Sequence, residues 1–551
     1  MYRVDDKWVV SPTDLVAHLN CPHHTALSMQ RALGRPVSCL VDDHVEGDVQ
    51  VLQRRGDEHE RAHLDSLRSD GRSVVEIKVD DGSLDALLAA EARTVAAMAQ
   101  GVEVIFQATF LHDTGRGVLW RGHADFLHRI GEVPGSNGLW CYEPEDTKLA
   151  RHVKPATLVQ LASYAKHIER LQGSPPRQIH VQLGDNTRWS IQLRRVAAYF
   201  RAAKAQFERR LALGPESTYP LPVPHCAVCR YQQNCEDQWK ADDHLTLVAA
   251  LSKEQAVKFS AVGVKTVAAL GADQSPPEIT GIGRATVVRL RQQARLQVQA
   301  RNNPSMPPPY ERLPEESGRG LLTLPVSSNG DLYFDIEGDP FVGLGGLEYL
   351  LGVGGTGDGE LGDEFGFRAY WAHTEQAEKE SFEQFIDFVV EQRQQYPDMH
   401  VYHYAAYEKT ALGKLSGRHH TREAEVDSLF RDDVLVDLYR IVRQSMAIGT
   451  PSYSIKKLEA LYMGARDGTI TDAASSIVQY EKWIDTHDQA ILDEIEKYNH
   501  DDCWSTYGLH RWLQQFGVFA SADDPTEHSA PPAPDESALS ELYERLGGST
   551  I

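Results

Sequence analysis

The sequence predicts a multidomain α/β protein, on three observations. Its 551 residues, at roughly 100–200 residues per domain, give about three to five domains. Strand-like and helix-like hydrophobic periods alternate over residues 1–240 and again from Asp331 to Phe519. Between them, residues 245–301 carry only helical periodicity and are followed by a proline-rich stretch. Hydrophobic residues make up 41% and charged residues 25%, a globular balance. The 56 basic and 79 acidic residues sum to −23. That excludes a protein coating polyanions indiscriminately, yet allows a local basic groove or carboxylates neutralised by metal. There is no apolar signal region and no run of 18 apolar residues, so the expectation is a cytoplasmic protein with no membrane partner. Seven cysteines are too few for a disulfide scaffold and read as thiols or metal ligands.

In the first segment the strand candidates are Glu103–Phe110, Gly117–Leu127 and Gly138–Glu143, followed by an amphipathic helix at Pro155–Leu171. Asp146 and Lys148 lie two apart on a predicted strand, hence on one face, and Asp125 of Gly122-His-Ala-Asp would end the preceding strand nearby. Two carboxylates and a lysine suit a divalent cation plus an attacking water. The carboxylates bind Mg²⁺ through oxygen, while the lysine orients or deprotonates the water and offsets phosphate charge. An isolated Asp-x-Lys is most often a surface ion pair, so the neighbouring motifs carry the weight. Gln160 and Tyr164 share a helical face, and Arg55-Gly-Asp-Glu-His59-Glu60 lies in a helical pattern reaching Leu67.

This ordered set resembles the PD-(D/E)xK nucleases of the RecB and Cas4 type. The resemblance implies a restriction-endonuclease-like domain over residues 1–240, with Asp125 and Asp146 as metal ligands and Lys148 as the catalytic lysine. It makes Gln160 and Tyr164 nucleic-acid contacts. The family spacing from Gly56 lands on Glu60, which is the favoured early-helix ligand; the neighbouring His59 and, behind it, His63 are the alternatives.

Cys226, Cys229 and Cys235 form a C-x2-C-x5-C run that brings three thiolates within reach of one centre, with Cys21 the candidate fourth ligand. That bracketing resembles the iron–sulfur nucleases of the Cas4 and AddB kind, which implies a structural [4Fe–4S] cluster stapling the two ends of the domain. Zinc on four cysteines, or on three plus His225 or His23, is the rival. Cys39, Cys141 and Cys503 have no partners at ligand spacing and read as ordinary thiols.

Residues 245–301 hold eight basic residues against three acids, a net +5. Gly281-Ile-Gly283 opening a basic helix at Arg284 resembles a helix-hairpin-helix unit, whose backbone N–H groups would face a phosphate. The rival is a small helical spacer between two domains. From Asn302, Pro304, Pro307–Pro309 and Pro314 read as an exposed linker reaching residue 328.

The segment 329–519 opens on Asp331-Leu-Tyr-Phe-Asp335-Ile-Glu337, a period-two strand that places Asp335 and Glu337 on one face. Val401–Glu408 reads as a strand running into a helix that ends in an acid, and Tyr498 and Asp502 lie at i and i+4 on a helix. Four acids from two strands and a helix can bind two Mg²⁺ or Mn²⁺ ions, with the tyrosine positioning water. The arrangement resembles the DEDDy 3′→5′ exonucleases of RNase H-like fold. It implies Asp335, Glu337, Glu408 and Asp502 as ligands with Tyr498, although Glu408 stands where aspartate is usual and Asp437 is an alternative acid. Gly352-Val-Gly-Gly-Thr-Gly357 formally matches a dinucleotide fingerprint but is followed by acids and no helix pattern, so it reads as a flexible hairpin turn. No P-loop occurs. Residues 520–551 read as a disordered acidic tail with a short helix at Leu539–Leu546; seven acids and one arginine give it −6.

The whole layout, with Tyr333–Pro340 (YFDIEGDP), Tyr402–Glu408 (YHYAAYE) and Tyr498–Asp502 (YNHDD), resembles the TM0106-type family of RecB-like nucleases over roughly residues 10–515. It implies a metal-dependent nuclease with two sites acting on DNA ends or flaps in repair or defence. Members are often fused to a helicase, so a separate helicase is the expected partner besides nucleic acid, with DNA favoured over RNA. The rival readings are an RNA-processing exonuclease and a nucleic-acid-binding adaptor with one or both sites silent.

Overall fold

The computed structural model describes residues 1–37, 43–131, 133, 138–150, 152–216, 218–272, 278–340, 342, 346–356, 365–464, 466, 470 and 473–517, with the backbone alone over 43–53 and 473–474. Cys39, Gly357 and the tail from residue 520 lie outside the described residues.

The first 241 residues build an eight-stranded mixed sheet. Its strands are β1 (Tyr2–Val4), β2 (Lys7–Val10), β3 (Val74–Glu76), β4 (Val104–Asp113), β5 (Val118–Ile130), β6 (Cys141–Lys148), β7 (Gln178–Leu183) and β8 (Arg188–Gln192). The order is β1-β2-β5-β6-β7-β8, with β3 and β4 branching from β5. Around it lie α1 (Pro12–Asn20), α2 (Pro22–Ala32), α3 (Asp43–Ser69), α4 (Leu84–Gln100), α5 (Pro155–Gln172), α6 (Arg194–Ala212) and α7 (Gln232–Ala241). Both ends of α5 are punctuated in sequence, by Pro155 in its first turn and by left-handed Gly173 as its C-cap. Its apolar positions Leu161, Ala165 and Ile168 enter a core with Phe110, Leu127, Tyr142 and Ile179. Val159 and Ala162 enter a second core with Trp120, Phe200 and Phe207. β5 runs five residues past Asp125, which therefore sits inside the strand rather than at its end. Opposite it, Phe106 pairs Phe126 and Ala108 pairs Ala124, an unshifted register that sets Gln107 across from Asp125. Gln107 takes a left-handed φ of 56°, which costs a non-glycine residue on the order of 1 kcal/mol or more.

The middle body consists of α8 (Lys253–Ala261), α9 (Val267–Gly271) and α10 (Arg284–Asn302) around Val248, Phe259, Leu270, Val287 and Leu290. The proline-rich stretch after it is not a free tether. Its residues Tyr310–Arg312 form β9, antiparallel to β15 (Met446–Ile448). Proline lacks a ladder donor, which confines it to the edges of such a pair, and Pro309 precedes β9. On the other side of β15, Gln293 Nε2 of α10 donates to Ile448 O at 2.7 Å and Thr450 O at 3.2 Å.

The third body is a five-stranded sheet, order β12-β11-β10-β13-β14, built from β10 (Leu332–Asp339), β11 (Leu347–Gly355), β12 (Gly366–Trp371), β13 (Val401–His403) and β14 (Leu435–Asp437). β12, β11 and β10 are antiparallel neighbours, and β10, β13 and β14 run parallel. α11 (Glu375–Gln395), α12 (Tyr407–His419) and α13 (Glu423–Arg431) cover one face, packing Phe382, Phe385, Leu412 and Leu429 on Phe334 and Val353. α14 (Leu438–Ser445) and α17 (Gln489–Gln514) cover the other, with α15 (Ile455–Leu458) and α16 (Ala473–Thr486) alongside. Gly352, Gly354 and Gly355 lie inside β11, not in a turn. A Cβ at Gly352 would collide with the Asn499 side chain of α17, so the glycine lets that helix approach the sheet.

The first and third bodies meet at α3. Arg54 Nη1 lies 2.5 Å from Asp485 Oδ2 and its Nη2 3.3 Å from Glu481 Oε2, both acids on α16. Arg55 pairs with Glu481 and lies 3.8 Å from Asp339 Oδ2. Among the described residues, no helix is long and apolar enough to cross a membrane.

Candidate metal centres

In the third body, β10 projects Asp335 and Glu337 from one face by its two-residue period, and α17 lays Tyr498, Asn499 and Asp502 across it. Carboxylate oxygens of Asp335, Glu337 and Asp502 lie within 4.8 Å of one another. Glu408, in the first turn of α12, is 4% exposed, and its charge acts on Asp335. Burial and then the charges of Asp502, Glu337 and Glu408 drive Asp335 well above the usual carboxylate range. Burial and Asp502 push Glu337 up to about 8, and burial raises Glu408 and Asp502. Crowded, dehydrated acids of this kind suit a divalent cation, because it removes their mutual repulsion. Two buried oxygens, Glu408 Oε2 and Asp502 Oδ1, lack a hydrogen bond of sound geometry. They face positive or polar groups instead: His403 Nδ1 at 3.3 Å and Arg466 Nη1 at 2.7 Å.

Three residues of this centre left no recognisable spacing in the sequence. Asn499 Nδ2 donates to Asp335 Oδ2 at 2.7 Å. Lys456 Nζ lies 2.6 Å from Tyr498 Oη and 4.5 Å from its ring centroid. Arg466 joins Asp502 to Glu459, with Nε 3.0 Å from Glu459 Oε1. Burial, then Asp502, Glu337 and Asp335, raises the Tyr498 phenol, so it stays protonated and can donate or accept at a water. Asp437 serves the backbone: its Oδ1 accepts from Tyr439 N at 2.9 Å and from Ala405 N at 3.0 Å. The second bond holds Ala405 at a φ of 79° in the turn that delivers Glu408. Cys503 is fully buried, its thiol donating to Gly352 O at 3.4 Å.

In the first body, Glu60 of α3, Asp125 of β5 and Asp146 and Lys148 of β6 converge. Lys148 Nζ lies 2.6 Å from Asp146 Oδ2. Asp125 Oδ2 accepts from Thr147 N at 2.8 Å and Thr147 Oγ1 at 3.0 Å. Gln107, in its left-handed conformation, donates to Glu60 Oε1. Burial, then Asp125, pushes Glu60 up to about 7. Burial and Asp125 raise Asp146 well above its ordinary value. Burial disfavours the Lys148 ammonium, but Asp146, Asp125 and Glu60 together hold its pKa above that of a free lysine. In the metal-free site it is a cation, suited to orient water or offset phosphate charge. The three acids do not all come within 4.8 Å of one another, although Asp125 and Asp146 are close enough to share a hydrogen bond, and Asp146 Oδ2 is buried without a hydrogen bond of sound geometry. Tyr164 is buried over Gly122, where a Cβ would press into its ring. Its phenol is raised by burial and then by Asp146, Asp125 and Glu60. Gln160 lies one turn earlier, half-buried.

The histidines beside Glu60 turn elsewhere. His59 is held near the Gln182 backbone. His63 Nε2 and His128 Nε2 each lie 2.8 Å from Glu145 Oε1. This trio is compact enough for a metal, but Arg188 already pairs with Glu145 and Arg72 Nη1 lies 3.2 Å from His128 Nδ1. With Arg72 donating to Nδ1, Nε2 carries the proton, so the set is a neutralised buried carboxylate. Burial would raise Glu145, but the His128 and His63 hydrogen bonds override it and hold the acid far below its usual range.

Cys21, at the α1–α2 junction, meets Cys226 of the turn Pro224–Val228, Cys229 that caps it and Cys235 of α7 around one small cavity. Leu27, Tyr231 and Trp239 wall it. Val223 N donates to Cys226 Sγ at 3.4 Å, and burial pushes the Cys235 thiol up to about 12. In the middle body, Gly283 is the N-cap of α10, Arg284 its first residue, and Gly281, at a φ of 78°, accepts from Lys258 Nζ at 3.0 Å. No curated protein matches the chain. Residues 332–514, which hold the Asp335–Glu337–Asp502 trio, match a family model of the RNase_H superfamily.

Proposed function

We propose that the chain is a nuclease with two metal-dependent centres. The observation that carries this is the closure of Asp335, Glu337 and Asp502 to within 4.8 Å inside the segment matching the RNase_H superfamily. A domain of that superfamily implies a nuclease-like phosphodiester hydrolase with a nucleic-acid substrate and Mg²⁺ or Mn²⁺ as cofactor. The finer reading is a 3′→5′ exonuclease centre of Asp335, Glu337, Glu408, Asp502 and Tyr498. It is joined to a RecB- and Cas4-like centre of Glu60, Asp125, Asp146 and Lys148, acting on DNA ends or flaps in repair or defence. Bound Mg²⁺ or Mn²⁺ would supply the Lewis acid and lower the pKa of an attacking water. The carboxylates hold the cation. Protonated Tyr498, backed by Lys456, positions a water by hydrogen bonding. Lys148, kept charged by three acids, orients a water and balances phosphate charge in the other centre. Gln160 and Tyr164, and the Gly281–Arg284 turn with Gly283, are the proposed nucleic-acid contacts.

For the cysteines we favour an iron–sulfur cluster. Zinc, with Zn–S near 2.3 Å in a tetrahedron, draws its sulfurs to about 3.8 Å apart, whereas a cluster spreads them over several irons. All four cysteines line one small cavity, which supports a shared centre, and the N–H···S bond to Cys226 fits a thiolate ligand.

The test compares wild type, Lys148→Ala and Asp335→Ala on 5′-labelled DNA and RNA with free and blocked 3′ ends, in Mg²⁺ and Mn²⁺. Asp335→Ala should lose stepwise trimming of free 3′ ends, and Lys148→Ala a different set of products. Each loss should be on the order of 10²–10³-fold, as for removal of one preorganised electrostatic group. If neither substitution changes cleavage, both centres are misassigned. A wild type that binds nucleic acid but cleaves none would be the adaptor.

A further inference from the structure

The first body carries a basic groove that neither centre uses. It lies between α5 and α6, an open groove of about 810 Å³ lined by Lys166 and Glu169 of α5, Arg177 at the head of β7, and Arg194, Arg201 and Lys204 of α6. Five cations against one carboxylate give +4 locally, in a chain of net −23. Lys166 Nζ pairs with Glu169 Oε2 at 2.9 Å, and Lys204 pairs with Glu208 and lies 4.8 Å from the Trp120 ring centroid. The three arginines are exposed, and none pairs with an acid among the described residues; Arg194 Nε donates only to Gln192 Oε1, at 2.8 Å. Ala162, Ala197 and Phe200 give the groove an apolar floor.

Its position separates it from the catalytic face. Two residues along α5, at 100° each, put Lys166 about 200° around the helix from Tyr164. β6 and β7 are parallel, with Lys148 opposite Leu183, and Arg177 precedes Leu183 by six residues. At about 3.3 Å per residue the arginine side lies roughly 20 Å from the Lys148 level. An extended single strand a few nucleotides long covers that distance. Arginine forks with no carboxylate partner are suited to phosphodiester oxygens.

We propose that this groove is a second nucleic-acid contact, gripping the phosphate backbone of the strand whose end occupies the Asp125–Asp146–Lys148 centre; it rests on the reading of that centre as a nuclease. The groove adds length-dependent affinity without reading sequence, because it offers charge and no base-directed pattern.

Fluorescence anisotropy of the full chain in EDTA tests this, with single strands too short to span the distance (3 nucleotides) and long enough to (30 nucleotides) over a series of salt concentrations. Wild type and Arg177→Glu/Arg201→Glu are compared, with thermal melting to show that both fold. Wild type should bind the 30-mer more tightly than the 3-mer, and the double substitution should erase most of that difference, a loss of tenfold or more. Two lost single-strand phosphate contacts should flatten the slope of log K against log salt by about 1.4. An unchanged 30-mer affinity and slope in the folded variant overturns the groove alone. So does a variant that loses binding to a polyglutamate peptide while keeping the 30-mer, which would make the groove a site for acidic protein segments. A wild type that binds neither oligomer sinks the nuclease reading and the groove with it.

Discussion

Glu337 and Glu60 are raised to about 8 and about 7, whereas unfolded glutamates ionise near roughly 4.3. Between those values the folded, metal-free protein keeps protons that the unfolded chain has released, so its stability falls as pH rises. The expected outcome is a Tm in EDTA that drops from pH 5 to pH 8, and a Tm in saturating Mn²⁺ that drops much less. Asp335→Asn should raise the EDTA value at pH 8 by removing one charge from the trio, and should weaken the Mn²⁺ gain. Calorimetry decides it, and a wild-type profile flat across that range contradicts the buried, protonated acids. At this scale the sequence showed the acids because they recur at strand and helix spacing. It hid their supporters: Lys456 precedes Tyr498 by 42 residues, and nothing local marks it. Gln107 was equally silent, since a left-handed glutamine leaves no glycine to announce it.

α3 is the element on which both centres lean. Arg55 sits five residues before Glu60, and it pairs with Glu481, whose side chain is 2% exposed. Burial, and then its hydrogen bond with Asp339, pushes Glu481 up to about 7. Removing Arg55 leaves Glu481 with the longer Arg54 contact at 3.3 Å and takes a cation from beside Asp339, a cost of about 1–3 kcal/mol, below that of a buried charge left with no partner. Arg55→Met should therefore lower the urea midpoint, and adding Glu481→Gln should restore most of the loss. If the double variant is no better than the single one, the pair carries no such role. Most elements were legible from periodicity. The strands around Asp125 and Asp146, the Pro155 helix and the β10 strand emerge within a few residues of where the pattern puts them. The failures share a cause, which is that tertiary pairing overrode local composition. Pro307–Pro309 looked like a solvent-exposed tether, yet Tyr310–Arg312 adds to an edge strand. Gly352–Gly355 looked like a turn, yet it clears room for α17.

Across the whole molecule, the cysteine cavity joins Cys21 to a stretch some two hundred residues later. If a cluster bridges them, Cys21→Ser should bleach visible absorption, lower the iron content and depress the melting of the first body while leaving the third body's transition in place. Anaerobic spectra with iron and zinc analysis check this, and a colourless wild type containing zinc would exclude the cluster. The remote pairing was legible because cysteines are few. The α3–α16 seam was not, since arginines and acids are abundant in this chain and nothing in their spacing marks a partner more than four hundred residues away. The hydrogen bonds of Gln293 to the β15 turn carry a further consequence. Mechanically the +5 helical body and the third body are one rigid piece, because a buried glutamine stitches α10 to the far side of the strand that β9 already flanks. A protease or a recombination event acting at residue 303 or 328 would not separate two modules there. It would cut through a shared wall.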